Sequence, residues 1–94
     1  MKEVIKKLNE LRELMAKHDE IISCNIVNIS TDRRAEILVD TFKDVPKENA
    51  SYRKFDENIR QNCWVKSAEK NGVKIESYGS IGEVISEMRS AEND

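Results

Sequence analysis

Asn71-Gly72 constrains this chain more than any other pair of residues. Asn-Gly between two strand-like runs is the strongest local signal for a tight hairpin. A type I′ turn needs positive φ at both central residues, which Asn tolerates and Gly allows. The turn fixes a register: Lys70 faces Val73, Glu69 faces Lys74, Ala68 faces Ile75 and Val65 faces Tyr78. Side chains alternate across a strand. Trp64, Ala68, Val73 and Ile75 therefore share the core face, together with Lys66. Ser67, Glu69, Lys74 and Glu76 take the other face with Cys63, Val65 and Tyr78.

A second hairpin is expected upstream. Ile21–Ser30 carries no charge and is rich in β-branched residues, as a buried strand would be. Its apolar positions change parity, which places a bulge near Ile26-Val27 or covers both faces. Ser30–Arg34 is a polar turn, and Ala35–Phe42 returns as the partner strand.

Helices are expected at both ends. Val4, Leu8, Leu11 and Met15 are spaced four, three, four, with Ile5 and Leu14 beside them, so Met1–His18 reads as an amphipathic helix. The stripe has heptad spacing for barely two heptads, too short to stand alone as a coiled coil, and its width suits packing on the sheet better than a dimer seam. Ser80 and Glu83 form a capping-box pattern ahead of a C-terminal helix with Ile81, Val84, Ile85 and Met88 on one face, running to about Arg89. Ser90–Asp94 is then a frayed acidic tail. In the middle, Val45-Pro46 breaks the strand pattern, and Tyr52, Phe55 and Ile59 recur at helical spacing, which predicts a short helix over about 49–60. The fold class is α+β: an antiparallel sheet of two hairpins packed against N- and C-terminal helices, in the order α-β-β-(α)-β-β-α. At 94 residues this is a single domain spanning 1–94.

Charge narrows the function. The net charge is −2, with 36% charged residues mixed in sign along most of the chain. The imbalance sits at residues 81–94, where four acids face one base. The basic block that drives nonspecific nucleic-acid affinity is missing. The first residues are broken by charge and do not form a signal peptide, and no apolar run reaches a transmembrane length, so a cytoplasmic protein with no membrane association is expected. Cys24 and Cys63 lie in strand-like runs, where reduced, half-hidden thiols are the plain reading. With one histidine, His18, and no paired cysteines, no metal site, cofactor or Cys–His nucleophile is expected. Surface carboxylates such as Asp40, Asp44, Asp56 and Glu57 do not amount to an acid–base pair.

These exclusions favour a non-catalytic protein-interaction domain: a small acidic regulator, inhibitor or accessory factor of the kind common among phage and mobile-element genes, acting as a monomer or homodimer on a protein partner. One alternative is a nucleic-acid-binding module using Arg33, Arg34, Arg53 and Lys54. The other is a small enzyme or subunit completed by an oligomer. The expected partner surface is the 43–61 segment with the outer face of the second hairpin, where Tyr52, Phe55 and Tyr78 are the aromatics least committed to a core and Arg53 and Lys54 lie beside them.

Overall fold

The computed structural model describes residues 1–29, 32–55 and 63–93. Asn71 and Gly72 turn with φ of 52° and 82°, in the left-handed region that the type I′ turn requires. They join β4 (Cys63–Lys70) to β5 (Val73–Ser80) in the register read from the sequence, from Lys70–Val73 to Val65–Tyr78. The upstream hairpin also forms, from β1 (Ile21–Ile29) and β2 (Asp32–Val39), but Asp32, Arg33 and Arg34, expected in the turn, pair with β1 as strand, and the strand ends at Val39, short of the expected Phe42. The hairpin's bulge lies at Ile22, between the Ile21–Val39 and Ser23–Leu38 pairs, rather than near Ile26-Val27. One extra residue there restores the alternation, so that Cys24 and Ile26 follow Ile21 onto a single face.

The two hairpins meet side by side through β2 and β5, which run parallel with Ile37 opposite Ile75. The sheet is therefore mixed, a correction to the antiparallel sheet expected above. Its order is β1-β2-β5-β4-β3. Both joining strands are the second arms of their hairpins and enter the sheet in the same direction.

β3 (Ser51–Lys54) replaces the start of the expected middle helix. It pairs antiparallel with β4, Tyr52 opposite Lys66 and Arg53 opposite Val65. The helical spacing of Tyr52 and Phe55 is overridden because β4 would otherwise present an unpaired edge, and four backbone residues satisfy it. Ile59 and the rest of the expected helix lie outside the described residues.

One face of the sheet holds the core. Val39, Val45 and Ala68 are buried together, with Ile21, Ile37, Ala50 and Ile75 packed against them. A 3-10 turn over Phe42–Asp44 crosses this face, capped by the Thr41 side chain and the Asp44 carboxylate, which bonds the Thr41 N–H and hydroxyl. The Phe42 ring lies over Gly79, where a Cβ would meet it at 2.7 Å, so glycine is required for this close approach. α2 (Ile81–Asn93) follows β5 directly and buries Val84 on the same side of the sheet. Ser80 Oγ accepts the Glu83 N–H at 3.3 Å, and the helix runs past Arg89 to Asn93, into residues expected in a frayed tail. On the opposite face Val65 is fully buried, and Phe55 and Tyr78 meet edge to face at 5.6 Å.

α1 (Lys2–Met15) departs from the expectation. It forms, but it buries no residue, and among the described residues it makes no extensive contact with any strand. The turn after it is tied down: Ile21 N–H donates to His18 O (3.1 Å) and Asp40 N–H to Glu20 O (2.8 Å). The molecule is elongated, 48 × 30 × 22 Å, with a radius of gyration of 15.4 Å. A compact domain of this length has a radius of about 12 Å. No helix of the described residues is long and apolar enough to cross a membrane.

Candidate functional site

Two places on the molecule combine exposure with unusual chemistry. The first is a cleft of about 460 Å³ between α2, β3 and the crossing segment, lined by Lys43, Lys47, Tyr52, Lys66, Ser86 and Glu87. Its floor is a buried charge network. Lys66 points to the core face, as its register demands, and is 1% exposed. Its ammonium lies 2.7 Å from Glu87 Oε2, donates to the Phe42 carbonyl at 2.9 Å, and sits 5.8 Å over the Tyr52 ring. Tyr52 O–H donates to the same Glu87 oxygen.

Each of these groups responds to the others. Burial pushes the Tyr52 phenol up, and the bond to Glu87 and that carboxylate's charge add to it, to about 12. Burial also pushes the Glu87 carboxyl up. The hydrogen bonds from Lys66 and Tyr52 and the charges of Lys66 and Lys47 outweigh it, holding the group below the usual carboxylate value. An ionised Glu87 and a neutral Tyr52 thus clamp α2 to the sheet. Ser77, opposite Lys66 on β5, is also fully buried, and its hydroxyl has no partner among the described residues. This cluster has the character of a structural pin. A lysine on a core-facing register position signals a buried acid, and Glu87, one helical turn from Val84, is the acid on the docked face of α2.

The second place is apolar. Val4, Ile5, Leu8, Leu11 and Leu14 of α1 are 37–57% exposed. Edge strand β1 exposes Ile22 near its start and Ile26 farther along, the latter at 75%. β1 carries no charged residue and ends the sheet, so its outer backbone is open to pairing. Full burial of such a side chain is worth about 1.5–3 kcal/mol, so roughly half of that is recoverable at each of the five positions, about 5 kcal/mol per helix. A helix of about this length is marginal on its own in water.

The residues expected to meet a partner are scattered. Tyr52 is committed to the cleft floor and packs its ring edge to face with Phe42 at 6.0 Å. Phe55 and Tyr78 pair on the opposite face. Arg53 meets Glu76 at 3.4 Å, and Lys54 also has a partner. Arg33 and Arg34 open β2 near the Gly72 end of β5, whereas Arg53 lies level with Tyr78, across three strand spacings. Strand spacing and rise put the two basic pairs about 25 Å apart. They do not form one basic patch.

The remaining chemistry is dispersed too. Cys24 lies on β1 and Cys63 on β4, separated by two strands, and both thiols are unpaired. Burial pushes the Cys24 thiol up, away from an activated thiolate. His18 Nδ1 meets Glu20 at 2.8 Å on the surface. No cluster of three or more His, Cys, Asp or Glu side chains suited to a metal ion occurs among the described residues.

Compared with models of known protein families, with curated proteins and with solved structures, the chain matches none.

Proposed function

We propose that this chain is a non-catalytic protein-interaction domain, a small regulator, inhibitor or accessory factor, and that it meets its protein partner through α1 and the adjoining edge of β1. The observation that supports this is the open stripe of α1. A folded domain with a buried core keeps five large apolar side chains of one helix in water, next to an uncharged edge strand. Contiguous exposed apolar surface of this kind marks interaction sites. The partner surface thus moves from the 43–61 segment, where Tyr52 is already engaged, to the N-terminal arm.

The separation of Arg33 and Arg34 from Arg53 weighs against the nucleic-acid alternative, which needs a continuous electrostatic track. Two unpaired thiols fit a reducing compartment, which supports a cytoplasmic location. The test is affinity capture from the native host with the full chain and with Leu8→Glu. A partner retained by the parent chain and lost with the variant is expected. A partner retained equally by both would remove α1 from the interface.

A further inference from the structure

We infer that the cleft between α2, β3 and the crossing segment binds a small phosphate monoester, its phosphate held by Lys43, Lys47 and Lys66 and its organic part laid against Ala50 and Tyr52. The cleft lies beside β3, at the sheet edge opposite β1. The inference therefore goes beyond the interaction-domain reading and does not depend on it.

Charge is the first support. Three ammonium groups line the cleft against the single carboxylate of Glu87. Glu87 is already neutralised, with Oε2 2.7 Å from Lys66 Nζ and bonded by the Tyr52 phenol. Lys43 and Lys47 are exposed, and their side chains make no ion pair or hydrogen bond among the described residues. A chain of net charge −2 thus gathers two uncompensated positive charges in one concavity. A phosphate monoester carries about −1.5 to −2 at neutral pH, which balances them.

The second support is the Lys66 ammonium, which has three N–H donors. One meets Glu87 and one the Phe42 carbonyl at 2.9 Å. The third has no hydrogen-bond partner among the described residues beyond the face of the Tyr52 ring, whose centroid is 5.8 Å away. Lys66 is 1% exposed, so bulk water does not supply the missing acceptor. A buried donor left unmade is costly, and the cleft is the open space that this side chain borders. A phosphate oxygen in the cleft completes the set.

The third support is the frame. Phe42 and Val45 are buried and fix the segment that holds Lys43 and Lys47 outwards. On the α2 side, Ser86 and Ser90 stand one helical turn apart and offer hydroxyl donors. Among the described residues every basic group of the lining is a lysine. Lysine acts as a point charge suited to the separate oxygens of a tetrahedral phosphate, whereas a planar carboxylate gains most from the fork of arginine. The volume of about 460 Å³ falls in the range of roughly 300–1,000 Å³ of small-ligand sites, which leaves room for an organic group beside the phosphate.

Heteronuclear NMR titrations of the full chain at constant ionic strength test the inference, with inorganic phosphate, phenyl phosphate and benzoate as probes. Saturable shifts of the amide signals of residues 43–50 and 86–90 are expected with both phosphates. Phenyl phosphate should bind more tightly than inorganic phosphate, because its ring reaches Ala50 and Tyr52, and more tightly than benzoate. Lys43→Gln and Lys47→Gln should each weaken phenyl phosphate about tenfold, the size of one charge-assisted hydrogen bond. Both positions are exposed, and the rest of the spectrum reports that the fold is kept. Lys6→Gln, on α1, should leave the affinity unchanged. Shifts that do not saturate, or that weaken equally with Lys6→Gln, would mean loose counter-ion attraction and overturn the site. So would a spectrum that does not move with millimolar phenyl phosphate. Equal affinity for phenyl phosphate and inorganic phosphate would overturn the organic part of the assignment, and a preference for benzoate the phosphate part.

Discussion

α1 and α2 are two amphipathic helices of nearly equal length, 14 and 13 residues, with opposite fates. Each carries an apolar stripe at helical spacing. α2 buries Val84 and is pinned by Glu87 to Lys66 and Tyr52. α1 buries nothing. The difference lies in what the sheet offers each helix. α2 continues from the central strand β5 without a loop, over a face that already holds the Lys66 ammonium. α1 leads into an edge strand through a turn that is itself hydrogen-bonded to Asp40, just past the end of β2. An apolar stripe therefore does not by itself say whether the helix docks on its own sheet; the chain's connections decide that.

Removing the pin is the strongest way to break this contrast. Lys66→Ala leaves Glu87 half-enclosed without its cation and the Phe42 carbonyl without its donor. A loss of about 3–5 kcal/mol in unfolding free energy is expected, the usual result of taking one partner from a buried pair. Lys66→Met should cost less, since it keeps the stem and its packing. Urea unfolding followed by Trp64 fluorescence measures both. A loss below 1 kcal/mol for Lys66→Ala would mean that α2 is held by apolar contact alone.

A matched pair of truncations sharpens the comparison. Val84→Ala removes two buried methyl groups and should cost about 2 kcal/mol. Leu8→Ala should change stability by about 0.5 kcal/mol or less, as at other exposed positions. Equal losses at the two sites would show that α1 is docked in solution.

The smallest effect is on pH dependence, and it belongs to α2 alone. The Glu87 carboxyl lies below its ordinary value of 4.5 in the folded chain. Its contribution is therefore complete above that value and is lost as pH falls through the folded one. Tyr52 moves the other way, from 10 to about 12, so its contribution is complete below pH 10 and fades as pH climbs towards 12. Spectroscopic titration should show one phenol ionising late. Tyr52→Phe should remove that phase and flatten the alkaline limb of the stability curve. A late phase that persists in Tyr52→Phe would assign it to Tyr78 instead.

Much of the α+β fold was legible because its signals are local. Asn71-Gly72 set the register of β4 and β5, and the same register put Lys66 on the core face before any partner for it was visible. Ser80 marked the start of α2. What escaped was long-range. Four residues of β3 carry too little pattern to outvote the helical spacing of Tyr52 and Phe55, and only the free edge of β4 selects a strand there. Thr41 and Asp44 form an S/T-x-x-acid cap that could have flagged the turn bringing Phe42 over Gly79. The cleft depends on Lys66, Tyr52 and Glu87, spread over 35 residues and three elements, which no short window connects.

The sequence by itself determined the elements at both ends, the existence of the two hairpins and the register of the second, because turn chemistry and side-chain periodicity act over a few residues. The parallel joining of β2 to β5, the strand at Ser51–Lys54 and the standing-off of α1 were decided only in the tertiary structure. They depend on which backbone edges remain unpaired and which faces remain open once the local pieces have formed, and those quantities exist only between elements.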